Sequence, residues 1–421
     1  MRFPESTKTV VIGAGTAGLS AAKALRQAGI ETIVLEATGH AGGRCVTDAS
    51  LFSTPFDLGG SWLHSASINP LARLVEKAGF ALHKRPWTRS WVHILGSNLS
   101  SIEVQAFQAY EANMWKAISI AGEKEHDCST QSVMPRGEWS STAEHIIPQM
   151  LAGDANVTSA KDVHNYANAD GDWLVEGGLG AFVKSLHTDV PVCYNCPVLK
   201  VDYTKANIQI STQNGTLRTQ QVISTVSTGV LGSEIIKFHP PLPNEKTAAI
   251  NVLPCGVLNK VGIEFYPKWT EATQGQMADY HSSNNEFCSL LFGFYNTSLA
   301  TGFVAGKFAD DLEVEGKGAA TDYCIQGLRA TFGNDVIKYI SHTHETSWRG
   351  NVYTNGAYSY AKPGSASART ILAEPLDERI FFAGEATMKD AYSTVHGAYL
   401  SGKRAARQAI MALSLKNAQS Y

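Results

Sequence analysis

Apolar and polar positions alternate in blocks along this chain, and the first block sets the reading of the rest. Thr9 to Ile12 form a short β-branched run, which predicts a buried parallel strand. Gly13-Ala14-Gly15-Thr16-Ala17-Gly18 follows at once. Leu19 to Gln27 then carry the Ala, Leu and Lys of a good helix former, closed by Gly29. A second strand is predicted over Glu31 to Leu35, ending in Glu36. Asn69-Pro70 predicts the cap and first turn of a helix that stops at Gly79. Ser100 and Glu103 make a capping box for a longer helix with Val104, Phe107, Met114 and Ile118 on one face, and Ser141 with Glu144 repeats the device. This mainly helical stretch runs to about Tyr166.

From Trp173 the period changes. A helix through Phe182 and Leu186 is followed by strands at Val190 to Tyr194 and Val198 to Tyr203; Asn214-Gly215 marks a hairpin, and Gln221 to Val226 reads as a returning strand. Beyond Pro240-Pro241-Leu242-Pro243, strands are predicted at Leu258 to Phe265, Ser289 to Phe294, Gly302 to Ala309 and Ile340 to Glu345, with a helix over Ala320 to Phe332. Arg379 to Glu385 is a buried strand ending in Gly-Glu, and Thr394 caps a last helix through Ala412. The pattern predicts an α/β fold. A Rossmann-type dinucleotide-binding domain is built from residues 1–65, 175–236 and 350–421, and an α+β substrate domain, a mixed sheet plus helices, is inserted as 66–174 and 237–349.

Composition changes this little. The 421 residues suffice for two or three domains, and the net charge of −3 without a basic block leaves no electrostatic footprint for nucleic acid. No apolar run is long enough to span a bilayer, and Met1-Arg2-Phe3-Pro4 lacks an apolar signal core, so the expectation is a cytoplasmic protein without a membrane partner. The seven cysteines are scattered, and buried reduced thiols are the default. Cys193 and Cys196 form a C-x-x-C between strand-like runs with no second ligand pair, so packing is favoured over a metal or redox role.

The opening stretch is G-x-G-x-x-G in strand-turn-helix context with an acid at the end of the next strand, which is the form of a dinucleotide fingerprint. Gly13 permits the sharp turn, Gly15 lets the backbone approach a pyrophosphate, and Gly18 lets the helix sit close on the strand. Glu36 is placed to accept hydrogen bonds from an adenosine ribose and would repel a 2′-phosphate. Gly42-Gly43-Arg44 can return to the same pyrophosphate with two amides and a guanidinium, an arrangement that resembles flavin-binding members of the two-dinucleotide-fold class. In Asp57-Leu58-Gly59-Gly60-Ser61-Trp62-Leu63-His64, closely spaced small residues would let N–H groups approach a flat ring, although a surface loop has the same spacing. Lys260 stands inside an apolar strand, where an ammonium is costly unless it is paired, its pKa falls, or it snorkels from a strand edge.

Taken together, these motifs resemble the flavin-dependent amine oxidase family, within it the polyamine oxidase and lysine demethylase branch. The matches are VVIGAGTAGLSAAKAL with Glu36 and GGR, DLGGSWLH, VISTVSTGVL, PPLP, GVLNKVGIEF, WRGNVYTNGAYSY and FFAGEATMKDAYSTVHGAYLSG. The resemblance implies a noncovalent FAD, because Ala357 stands where the monoamine oxidase branch tethers its flavin through cysteine. It implies that Val198 receives the adenine through its backbone, that Gly384-Glu385 lie near the ribityl chain, and that the amide of Val395, behind Thr394, meets the pyrimidine edge. Gly60, Ser61 and Trp62 would border the ring.

The same resemblance makes Lys260 the holder of a water against flavin N5, a pair associated with reoxidation by dioxygen. Trp348 and Tyr358 would wall the substrate side, with Thr394 in place of a second cage tyrosine. His64 matches a histidine that hydrogen-bonds a substrate nitrogen, a solvated loop histidine being the alternative. The implied reaction is hydride transfer from the C–H beside a neutral amine, of polyamine type first, to flavin N5, with imine hydrolysis and hydrogen peroxide formed on reoxidation. An L-amino-acid oxidase would need a carboxylate clamp, for which Arg85 or Arg89 are candidates. A carbon-skeleton desaturase, a non-catalytic flavoprotein binding module and a flavoprotein isomerase are further alternatives.

Overall fold

The computed structural model describes residues 4–266, 269, 273–293 and 297–419. Phe294, the expected end of one strand, and Met1 to Phe3 lie outside them. An eight-stranded sheet is laid down by three separated parts of the chain. Ser6–Ile12 runs parallel between Thr32–Leu35 and Gly215–Ser224, Val192–Cys193 flanks Thr32–Leu35, and Ile380–Phe382 adds a further parallel partner to Gly215–Ser224. Period-two alternation gives each face its own core. Val11, Val34 and Ile223 pack under Ala17, Ala21 and Leu25 of helix Thr16–Gln27 and under Ala405 and Ala409 of helix Val395–Gln419. Val10, Ile33 and Val222 pack on the other face with Val201, Ile210 and Leu217. The two helices approach so closely that a Cβ on Gly402 would stand 2.1 Å from the Ala17 carbonyl oxygen.

The hairpin around Asn214 pairs Ile208–Thr212 with Gly215–Ser224, as its turn residues predict. Lys237–His239 differs from expectation. Assigned above to the inserted domain, it pairs in parallel with Val198–Asp202 in this first sheet, and Ala249 and Ile250 just beyond it pack on Ala368 and Leu372.

A second sheet of seven strands takes the order Ile340–Glu345, Leu258–Phe265, Leu299–Ala305, Phe287–Phe292, Gln276–His281, Thr88–Ile94, Ser97–Asn98. Val261 and Ile263 face helices Gly306–Glu315 and Ala319–Phe332, while Leu258 turns to the opposite side with Phe303 and Leu291. Lys260 shares that second side by alternation. Two expectations are corrected here. The stretch after Gly79 is not simply helical, because Thr88–Ile94 joins the sheet beside Gln276–His281. The strand expected to reach Ala309 stops at Ala305, because Gly306 adopts φ 67° and starts a helix instead.

The helical insertion follows its caps in part. Asn69 accepts from the Leu71 amide, and Ser100 with Glu103 closes a capping box on helix Ser101–Gly122. The box expected at Ser141 and Glu144 is absent. Ser141 Oγ donates to Asn285 Oδ1 and Glu144 accepts from Gln131 Nε2, so both side chains are drawn away from the helix end. Among the described residues no helix is long and apolar enough to cross a membrane.

Candidate cofactor and active site

Between the two sheets lies a cavity of about 1510 Å³. It is bordered by Gly13, Gly15, Glu36, Gly43, Arg44, Gly60, Ser61, Trp62, His64, Val198, Lys260, Trp348, Tyr358, Gly384, Glu385, Thr394 and Val395. Among the glycines of the opening turn, Gly18 stands off the wall, and its reason is packing: a Cβ there would sit 1.9 Å from the Gly13 carbonyl oxygen. Gly15 is the opposite case. It borders the cavity, and the nearest protein atoms to a Cβ on it, Gly42 O and Gly43 Cα, are both 3.9 Å away, so a side chain would meet a ligand rather than the fold.

The nucleotide end is ordered by carboxylate chemistry. Glu36 is buried at the end of its strand and accepts from the Ala14 amide at 2.7 Å and from the Thr38 amide and hydroxyl at 2.9 and 2.8 Å. Gly13, at φ 100°, makes the turn, and its amide donates to Leu35 O at 2.8 Å. Val198 starts the strand Val198–Asp202 beside Glu36 on the same cavity wall. Cys193 and Cys196 carry free thiols behind this end, where their backbones bond to Glu36: its amide donates to Cys193 O and its carbonyl accepts from the Cys196 amide.

Toward the middle, Arg44 Nη1 donates to Ala357 O at 2.8 Å and to Glu385 Oε1 at 3.1 Å. Glu385 also receives the Ser359 amide at 3.1 Å, the Ser359 hydroxyl at 2.7 Å and the Ser393 amide at 2.9 Å. Gly384 is fixed by its amide on Ser401 Oγ at 2.9 Å. Thr394 caps the last helix, its hydroxyl accepting from the Gly397 amide at 3.0 Å, so the helix N-terminus and its positive potential open on the cavity at Val395. The glycines before Ser61 are forced by crowding: a Cβ on Gly59 would lie 2.0 Å from Arg44 O, and one on Gly60 2.6 Å from Val395 Cγ2.

At the far end Lys260 is 3% exposed. Its Nζ donates to Asp57 O at 2.9 Å and to Ser61 Oγ at 2.5 Å. Burial lowers its pKa to about 8, with the nearby Asp57 charge opposing the fall. Asp57 in turn anchors the start of helix Leu179–Ser185, accepting from the Leu179 and Gly180 amides at 3.0 and 3.2 Å. Trp348 is buried, and its amide donates to Asn259 Oδ1 at 3.1 Å; Asn259 is held by Glu313 at 2.7 Å, which also receives the Arg349 and Gly350 amides. Tyr358 borders the cavity with its hydroxyl near Gln149 O and Met150 O, and burial pushes its phenol up. Trp62 meets Trp87 edge-on at 5.0 Å and stacks near His64. His64 Nδ1 lies 2.8 Å from Asp172 Oδ1. Burial would raise the Asp172 pKa, but the histidine's hydrogen bond and charge outweigh it and the net shift is downward.

Other wall residues escaped the sequence reading. Glu111 lies between Phe107 and Met114 on the buried stripe of helix Ser101–Gly122, and a carboxylate on an apolar stripe was the available signal. It pairs with Arg89 Nη1 at 2.5 Å, and Arg89 Nε also lies 2.7 Å from Asp279 Oδ2. Arg85 is exposed and off the wall. Neither arginine is therefore offered as a free carboxylate clamp.

The donor set fits an adenine dinucleotide carrying a flavin: a glycine turn open on its ligand side, an acid at the ribose position, an arginine beside the turn and a helix N-terminus further along. Gly15→Ala should leave the unfolding midpoint of the apoprotein unchanged while weakening FAD binding by about tenfold or more, the effect of displacing a close backbone contact. Gly18→Ala should instead lower the midpoint itself. Urea unfolding and flavin-fluorescence titration of both variants check this, and equal losses of stability would contradict the division of labour.

Comparison with known proteins agrees with this geometry. The family model described as flavin containing amine oxidoreductase matches residues 16–94 and 122–410. Lysine-specific histone demethylase 1 homolog 1 of Arabidopsis thaliana is 30% identical over 96% of this chain and 52% of its own length. Lysine-specific histone demethylase 2 of Homo sapiens is 27% identical over 94% and 52%, and polyamine oxidase 4 of Oryza sativa subsp. japonica 29% identical over 94% and 87%. The chain thus spans about half the length of the demethylases it matches. Wild-type putrescine oxidase bound to putrescine has the same fold, with a TM-score of 0.79 at 20% identity over 96% of this chain and 99% of that one. The chain belongs to the flavin-containing amine oxidoreductase family, and the cofactor its cradle serves is FAD.

Proposed function

We propose that this protein oxidises an amine, with polyamine-type secondary amines as the first substrate class, and that dioxygen takes the electrons to give hydrogen peroxide. FAD, when bound, supplies the acceptor for the hydride that leaves the carbon beside the amine nitrogen. The observation that carries the reading is Lys260: an ammonium shut away from water on the wall that also holds Trp348 and Tyr358.

The chain's own groups orient and desolvate. Lys260 spends two donors on Asp57 O and Ser61 Oγ, and an ammonium has a third with which to hold a water. Trp348, fixed through Asn259 and Glu313, and Tyr358 present apolar faces that favour the neutral amine needed for hydride loss. A substrate cation can rest on such faces on its way in. Asp172 is a carboxylate on the substrate side suited to a second ammonium, and His64, on Asp172, is suited to a substrate nitrogen. The polyamine oxidase among the relatives supports this substrate class. An L-amino-acid oxidase is disfavoured, since Arg89 is engaged by Glu111 and Asp279. A non-catalytic module would carry the cost of a buried lysine without using it. An isomerase is separated by oxygen consumption.

Lys260→Met should leave FAD bound and slow flavin reoxidation or reduction by roughly a hundredfold, the scale of a positioned proton-handling group. Its folded pKa lies below the unfolded value, so the stability linked to this amine is fully present above the unfolded value of 10.5 and is lost as pH falls from there through about 8. That slope should be absent in Lys260→Met, as should any inflection near pH 8 in reoxidation. Stopped-flow half-reactions and urea titrations decide, and wild-type rates in both half-reactions would remove the assignment. The flavin is proposed to be noncovalent, since position 357 offers no thiol. Acid precipitation should therefore release all yellow colour to the supernatant; colour in the pellet would contradict it.

A further inference from the structure

Behind the cofactor wall one arginine is shut away from water. Arg369, on helix Ala368–Ala373, is 0% exposed. Its Nε and Nη2 form a fork on Asp162 Oδ1 and Oδ2 at 2.8 and 2.7 Å. Asp162 is equally buried and belongs to the short helix Ala160–Asn165 of the helical insertion. Nη1 donates to Ser359 Oγ at 2.9 Å and to Ala386 O at 3.3 Å, and the guanidinium lies 3.9 Å from the centre of the Tyr392 ring. Two charges buried this deeply gain little net stability over well-packed apolar residues. Stability alone is therefore a poor reason for the pair.

The pair does control a proton. A guanidinium can only donate, so Ser359 Oγ accepts from Arg369 and its single proton points to Glu385 Oε2 at 2.7 Å. With the amides of Ser359 and Ser393 and with Arg44, Glu385 then holds four donors, enough to fill a carboxylate and fix its orientation. Two of these donors lead to the cofactor cavity. Arg44 borders it, and Ser393, held at φ 60°, is the residue before Thr394 and Val395. At the other end of the chain of contacts, Asp162 is followed by Val163, His164 and Tyr166 on the substrate-side wall, and its carbonyl accepts from Tyr392 at 3.1 Å.

We propose that Arg369 is a positioning residue: through Ser359 it fixes the Glu385 carboxylate, and with it Arg44 and the Ser393–Val395 turn, in the arrangement that FAD meets. Asp162 ties that arrangement to the substrate-side wall. The proposal rests on the FAD reading of the cavity.

Two variants test it. Ser359→Ala keeps both buried charges and removes only the relay hydroxyl. The Arg369→Gln/Asp162→Asn double variant removes both charges together, so that neither is left unpaired. Each variant is scored for the urea unfolding midpoint of its apoprotein, its Kd for FAD by flavin-fluorescence quenching, and the reduction potential of the flavin once reconstituted. Ser359→Ala and the double variant should each raise the Kd by about tenfold, the loss of one charge-assisted hydrogen bond, and shift the potential in the same direction. Combining them should cost no more than the larger of the two, because they interrupt one line of contacts. Folded Ser359→Ala with a Kd within about twofold of wild type and an unshifted potential would overturn the proposal, even if its unfolding midpoint fell. Should the double variant not fold, Ser359→Ala decides. Wild-type protein that binds no FAD would overturn the cofactor reading and this inference together, whereas tight wild-type binding with unchanged variants would overturn this inference alone.

Discussion

A single ammonium buried between two sheets is the constraint around which this molecule is arranged. Lys260 comes from the middle of a strand whose alternate residues Val261 and Ile263 bury themselves against helices, so its side chain has only the inter-sheet face left to it. There it is stabilised by the Asp57 carbonyl and the Ser61 hydroxyl, both from the glycine-rich stretch around the short strands Phe56–Asp57 and Trp62–Leu63. Asp57 can present that carbonyl because its carboxylate is occupied with the amides opening helix Leu179–Ser185. The lysine thus joins the second sheet to the glycine-rich stretch on the cavity wall.

The rest of the cavity wall depends on backbone approaching backbone. Gly18 against the Gly13 carbonyl, Gly59 against the Arg44 carbonyl and Gly402 against the Ala17 carbonyl leave no room for a Cβ, and together they bring the turn, the arginine loop and the last helix to one line. Once these elements are in contact, polar groups complete the wall. Glu36 closes one end by accepting the amide of the turn, and Glu385 gathers Arg44, Ser359 and Ser393 near the middle. The helix terminus at Val395 then needs no side chain to present positive potential.

Legibility in the sequence followed the range of each interaction. The turn, its acid and the strand carrying Lys260 are local patterns, and the glycine spacing and the β-branched runs specify them without reference to distant residues. Thr88–Ile94 was not legible as a strand, since Arg89, Ser90 and His93 interrupt its alternation and its partner Gln276–His281 is far along the chain. Likewise the apolar run through Ala309 concealed the helix that Gly306 begins. Glu111 could have been noticed as an acid on an apolar stripe, but its pairing with Arg89 could not. Nor could that of Arg369 with Asp162, which only the docking of the insertion on the first sheet creates.

The central claim is that one FAD lies along this cavity with its nucleotide at Glu36 and its ring beside Lys260. The most direct measurement is a crystal structure of the protein reconstituted with FAD. The account predicts adenosine between Glu36 and Val198, diphosphate on Gly15 and Arg44, and the ring bordered by Trp348 and Tyr358, with N5 within one water of Lys260 Nζ. A flavin bound in the reverse direction, or a ring remote from Lys260, would contradict it.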